Sequence, residues 1–189
     1  MNKIVITLGC IVMVAAQWFV PGQMIYEQES VLTQGNPYKF KTQPIDPSDP
    51  LRGKYITLRY EMERSTKITD TIWNPNDPIF VYIEEGEDGF AEATAVSQKP
   101  LDLDQDYVMA RYQYSRKGSI NFDLPFDRFY MEESKAYDAE LAVRETNRNR
   151  DSLAPVCYAL VYVKDDVAVL DNVFIGEKSV KEIVEERQN

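Results

Sequence analysis

The sequence predicts a mainly β, α+β fold: an antiparallel β-sheet or barrel-like extracytoplasmic domain with one or two short helices, preceded by one N-terminal transmembrane helix. Three observations predict it. Ile4 to Val20 is a run of seventeen residues without a charge. From Tyr38 onward apolar and polar residues alternate with period two, the period of a half-buried strand. Clusters of Pro, Gly, Asn and Asp punctuate the chain at short intervals, as turns between strands require.

Composition narrows the function. The chain has 189 residues, 44% hydrophobic and 28% charged, which suits one globular domain rather than a disordered chain. With 21 Lys and Arg against 31 Asp and Glu, its net charge is −10, so polyanions are repelled and nucleic acid is not an expected partner. Histidine is absent from the sequence. That removes the usual general base at neutral pH, the imidazole metal ligands and any Ser-His-Asp or Cys-His nucleophile. Cys10 lies in the apolar run and Cys157 in a β-branched run, so two free thiols are expected, Cys157 as a small buried hydrophobe.

Seventeen helical residues cover roughly 25 Å, the short end of a membrane span. Lys3 marks the cytoplasmic flank and Trp18 is placed as the interfacial anchor at the far end. Val14-Ala15-Ala16 fits a signal-peptidase site, so cleavage after Ala16 is the alternative to a retained anchor, and the domain is exported in both cases. Leu8-Gly9-Cys10 comes too near the start to act as a lipoprotein box. Pro21 and Gly22 are expected to interrupt the helix. Gln23 to Thr33 then resumes as a short helix, with Met24, Ile25, Val31 and Leu32 on its apolar side and a stop at Gly35 and Pro37. The chain therefore divides into a membrane anchor or uncleaved signal over 1–22, a connecting helix over 23–37 and a β-rich domain over 38–189.

Within the domain, Tyr38 to Thr42 reads as the first strand and runs into the turn Asp46 to Pro50. Lys54 to Met62 is the second, with Ile56, Leu58, Tyr60 and Met62 on the core face. Asn74 to Pro78 repeats the turn chemistry before a strand at Ile79 to Ile83. Further strands are expected at Phe90 to Ser97, Asp106 to Tyr114 and Ser119 to Phe122. Met131 to Asn147 follows helical spacing. Pro155 to Val163 and Val167 to Ile175 form a hairpin around Lys164-Asp165-Asp166, and Ser179 with Glu182 has capping-box spacing for a final helix.

The segment Pro44 to Tyr60, PIDPSDPLRGKYITLRY, resembles the signature of the GDYXXLXY family of bacterial membrane-anchored proteins through Gly53, Tyr55, Leu58 and Tyr60. Lys54 stands where the family has aspartate, so no role for that carboxylate carries over. Arg128-Phe129-Tyr130-Met131-Glu132-Glu133-Ser134, with Glu140 after it, resembles a second family segment. The resemblance implies an anchored protein with an extracytoplasmic domain that works beside a multi-pass membrane protein; it implies no enzyme activity. Read physically, Gly53 permits a turn, Leu58 and Tyr60 share a core face with Tyr55 opposite, and Arg52 and Arg128 are placed to pair with Glu133 or Glu140.

Asp102, Asp104 and Asp106 have the spacing of an EF-hand's first ligands, but Tyr107 replaces its glycine and Gln113 its terminal glutamate, leaving at most a weak surface calcium site. One catalytic arrangement is compatible with a histidine-free exported chain, a Ser-Lys dyad as in signal peptidases, with Ser48 and Lys54 as its members. The dyad needs a desolvated lysine, and Lys54 adjoins an exposed turn. No catalytic residue, metal or cofactor is therefore assigned. The expected role is an interaction or structural module in the bacterial inner membrane, domain toward the periplasm, with lipid around its N-terminal helix and a membrane protein as partner.

Overall fold

The computed structural model of the chain describes residues 3–42, 55–65, 74–116, 119–130 and 155–188. Helix α1 is Lys3–Gln34. The strands are β1 Asn36–Lys41, β2 Tyr55–Thr57, β3 Arg64–Ser65, β4 Pro78–Glu85, β5 Ala91–Ser97, β6 Tyr107–Arg116 and β7 Ser119–Asp123. They are followed by β8 Arg128–Tyr130, β9 Cys157–Lys164, β10 Val167–Ile175 and β11 Lys178–Ser179, and by helix α2, Val180–Gln188. The predicted helix at Met131 to Asn147 and the turn at Asp46 to Pro50 lie outside the described residues.

α1 runs unbroken through Pro21 and Gly22, where the sequence predicted an interruption. Proline deletes one helical hydrogen bond. Unwinding there would free several more backbone groups, so the continuous ladder keeps more hydrogen bonds than an interrupted one. The helix is long and apolar enough to cross a membrane, and its most apolar stretch is not buried against the domain.

Eleven strands are found among the described residues, every pairing is antiparallel, and alternation marks the longer ones. Sheet order is β1-β9-β10-β11 in one sheet and β3-β7-β6-β4-β5 in another, with β2-β8 as a separate pair. β9 is the clearest case: Cys157, Ala159, Val161 and Val163 are buried while the residues between them are half-buried. Its hairpin with β10 turns at Asp165, whose φ is 54°, a left-handed position that aspartate tolerates. Asn76, with φ 70°, does the same in the turn before β4.

The inner faces of the two large sheets meet in one core. Phe40 and the buried side of β9 face Ile79, Val81, Val96, Val108, Ile120 and Phe122, and α2 closes one end with Val180 and Val184. α2 begins with the predicted capping box: the Ser179 N–H donates to Glu182 Oε2 at 2.9 Å and the Glu182 N–H to Ser179 Oγ at 3.2 Å.

α1 joins this domain without slack. Val31 is 3% exposed, and the last turns of α1 pack against β9 and β10. Lys164 Nζ donates to Ser30 Oγ at 3.2 Å and Gln34 Oε1 at 2.7 Å. The Gly35 N–H donates to the Val31 carbonyl, and a Cβ at Gly35 would lie 2.5 Å from that oxygen and 3.0 Å from the Val163 carbonyl oxygen. Of the apolar side expected over Gln23 to Thr33, Val31 is buried, whereas Met24 and Ile25 are exposed.

Candidate functional site

The family-like segment sits at a junction between sheets. Backbone pairing of Tyr55, Ile56 and Thr57 with Tyr130, Phe129 and Arg128 forms β2-β8. The predicted strand to Met62 ends at Thr57, however. The Leu58 N–H donates to the Asp127 carbonyl at 2.7 Å, Tyr60 bridges to Thr42 at the end of β1, and a 3₁₀ turn follows over Glu61–Glu63. Changing partners stops a continuous strand, because one ladder cannot follow β8 and then β1. Leu58 and Tyr60 are nevertheless buried as predicted, at 1% and 0% exposure.

Tyr60 is the centre of the junction. Its ring meets Phe40 and Phe126 edge-on at centroid distances of 5.8 and 5.2 Å, and those two meet each other at 5.0 Å. The Tyr60 hydroxyl donates to the Phe126 carbonyl at 2.8 Å. Burial pushes that phenol well above its usual range, so it stays a neutral donor. Thr42 Oγ1 donates to the Cys157 carbonyl at 3.0 Å, and burial raises the Cys157 thiol to about 11. Cys157 is thus an inert core residue, and both cysteines are free thiols as expected.

Sequence reasoning missed Glu63. It lines an open cleft of about 540 Å³ with Arg59, Gln113, Asn121 and Asp123, and Gln113 Nε2 donates to Asp123 Oδ2 at 2.5 Å. Burial, and after it the neighbouring Asp123 charge, raises the Glu63 carboxyl to about 7, against the pull of hydrogen bonds from the Tyr60 and Leu124 backbones and of Arg59. Alternation would have sent this side chain to solvent. Only the 3₁₀ turn, which leaves no periodic trace in EMER, rotates it into the cleft. A carboxyl of this kind exchanges a proton near neutrality.

Of the remaining predicted residues, Arg128 is described with its side chain. Arg128 is exposed and lies 3.9 Å from Asp127. Arg52, Gly53, Glu133 and Glu140 lie outside the described residues, as do Ser48 and Lys54 of the dyad; Tyr55 is described by its backbone alone. Asp106 accepts hydrogen bonds from the Asn36 amide at 2.7 Å and the Tyr38 hydroxyl at 2.8 Å, which ties β1 to the loop before β6. Among the described residues no three Cys, Asp or Glu side chains are gathered closely enough to hold a metal ion.

Two antiparallel sheets around one core, on a single N-terminal helix of membrane-spanning length, define a class: a β-rich domain on one apolar helix. The chain belongs to the GDYXXLXY protein family, whose family model matches residues 17–170. No curated protein and no solved structure matches it.

Proposed function

We propose that this protein is an extracytoplasmic interaction or structural module, anchored by α1 in the bacterial inner membrane with its domain toward the periplasm and bound to a multi-pass membrane protein. One observation carries the reading: a helix of 32 residues, exposed and apolar on all sides over most of its length, leads directly into a folded acidic domain. Such a surface requires lipid or other helices around it. Lys3, the charge before the apolar run, favours a cytoplasmic N-terminus. The signature residues Leu58 and Tyr60 act in this reading as the scaffold of the junction, and Arg52, Gly53, Tyr55, Arg128, Glu133 and Glu140 are assigned structural roles rather than ligand contacts.

Protease added to spheroplasts should digest the domain, whereas in inverted vesicles the domain should be protected. Purification in mild detergent should co-isolate one multi-pass protein in stoichiometric amount, and replacing Ile4 to Val20 by an unrelated apolar span separates contacts made by the helix from those made by the domain. A chain that elutes alone from native membranes in both forms would remove the reading.

A further inference from the structure

The point at which α1 leaves the bilayer is displaced from where the apolar run Ile4 to Val20 suggests. The helix does not break at Pro21-Gly22. Beyond it Met24, Ile25 and Tyr26 are 56%, 67% and 75% exposed, three apolar side chains in succession with no contact to the domain that hides them. The first charge after Lys3 is Glu27, so Ile4 to Tyr26 is an uncharged helical run of 23 residues. At about 1.5 Å per residue it spans roughly 35 Å, which covers a hydrocarbon core of about 30 Å, whereas Ile4 to Val20 alone falls short of it. Only three residues separate Tyr26 from Ser30, the first residue tied to the domain. The join there is fixed by Lys164, buried Val31 and the closely packed Gly35.

We propose that Pro21 to Tyr26 is a lipid-contacting surface, so that the hydrocarbon-embedded part of α1 ends at Tyr26 and the domain is seated directly on the bilayer rather than held off on a helical stalk. Tyr26, not Trp18, is then the interfacial aromatic, with Glu27 the first residue in the headgroups. The β9-β10 turn at Asp165-Asp166 and the start of β1 face the membrane surface, because Lys164 beside that turn holds the end of α1.

The inference rests on α1 crossing a membrane, and labelling in intact membranes tests the two separately. Single variants Val14→Cys, Met24→Cys, Ile25→Cys, Tyr26→Cys and Gln28→Cys are treated with a membrane-impermeant sulfonated maleimide. In the parent chain Cys157 is buried and Cys10 lies in the apolar run, so both set a low background. Cysteines at positions 24 to 26 should react at least about ten-fold more slowly than the one at 28, since a thiolate does not form in hydrocarbon, and should react fully once sodium dodecyl sulfate is added. Labelling of the Met24→Cys and Ile25→Cys chains as fast as the Gln28→Cys chain, with Val14→Cys still protected, would overturn the extended contact while leaving the anchor intact. Release of the chain by carbonate, or a mature product beginning at Gln17, would overturn both.

Discussion

Tyr60 concentrates three contributions in one side chain: full burial, two edge-on aromatic contacts and a hydroxyl that satisfies the Phe126 carbonyl. Tyr60→Ala should therefore cost about 3 to 5 kcal/mol, the range for large aromatic truncations. Tyr60→Phe keeps the ring and leaves a carbonyl unpaired, for about 1 to 2 kcal/mol. Both are read from urea unfolding of the detergent-solubilised chain, and a Tyr60→Phe loss equal to that of Tyr60→Ala would mean that the ring contributes little. Glu63 has a different signature. Its folded carboxyl titrates near 7 against an ordinary value of 4.5, so between those values the folded chain holds a proton that the unfolded chain has released. Stability contributed by that proton is complete at low pH and is lost as pH rises through the window. Glu63→Gln, which has no proton to lose, should remove this slope and raise the melting temperature at about pH 8 while changing little at about pH 5. Equal shifts at both pH values would show that Glu63 is ionised throughout.

At the scale of elements, legibility followed partner constancy. β4, β6, β7 and the β9-β10 hairpin each keep the same neighbours over several residues, across single irregularities at Tyr82/Ile83, Tyr112/Tyr114 and Leu170/Asn172, and alternation located them. The segment after β2 alternates just as cleanly through Ile56, Leu58, Tyr60 and Met62, but its partner changes from β8 to β1, and alternation carries no record of which neighbour a strand follows. β3 and β8, two and three residues long, are too short to leave a period at all. The helix runs on through Pro21 because ending it there would free several further backbone groups, a cost that a residue-by-residue breaker rule leaves out. The junction was legible as the burial of Leu58 and Tyr60; Glu63, set by a 3₁₀ turn, was not. The capping box was readable from residue types alone, and it also sets a test. Ser179 Oγ accepts from the Glu182 N–H, while the Ser179 N–H and hydroxyl both donate to Glu182 Oε2, and those two donors hold the Glu182 carboxyl below its usual range. Ser179→Ala should destabilise the chain by about 1 kcal/mol and speed amide exchange in the first turn of α2, where Val180 is buried. Unchanged exchange there would mean that burial of Val180 and Val184 alone holds the helix.

For the molecule as a whole, apolar exposure is strongly segregated. Of the large apolar side chains that lie open to solvent among the described residues, thirteen from Ile4 to Tyr26 belong to α1, while Leu103, Tyr114, Tyr130 and Val156 are scattered over the domain. Scattered single residues are ordinary on a soluble surface, whereas a continuous apolar cylinder is not. Among the described residues the domain core joins both sheets and α2 and includes no residue before Tyr38, so it does not draw on that cylinder. What α1 supplies to the fold is confined to its last turns, namely Val31 and the acceptors of Lys164. A chain beginning at Glu27 should therefore be soluble without detergent, stay monomeric in sedimentation at a net charge well below zero, and unfold cooperatively within a few degrees of the full chain in detergent. Deleting eight more residues, to begin at Gly35, removes Val31 and leaves Lys164 without Ser30 and Gln34. That should cost roughly 2 to 3 kcal/mol, about one buried aliphatic side chain plus lost hydrogen bonds. If the chain beginning at Glu27 aggregates while the full chain in detergent does not, an apolar surface of the domain itself is being covered by the span, and the separation of anchor from domain argued from the core would be wrong.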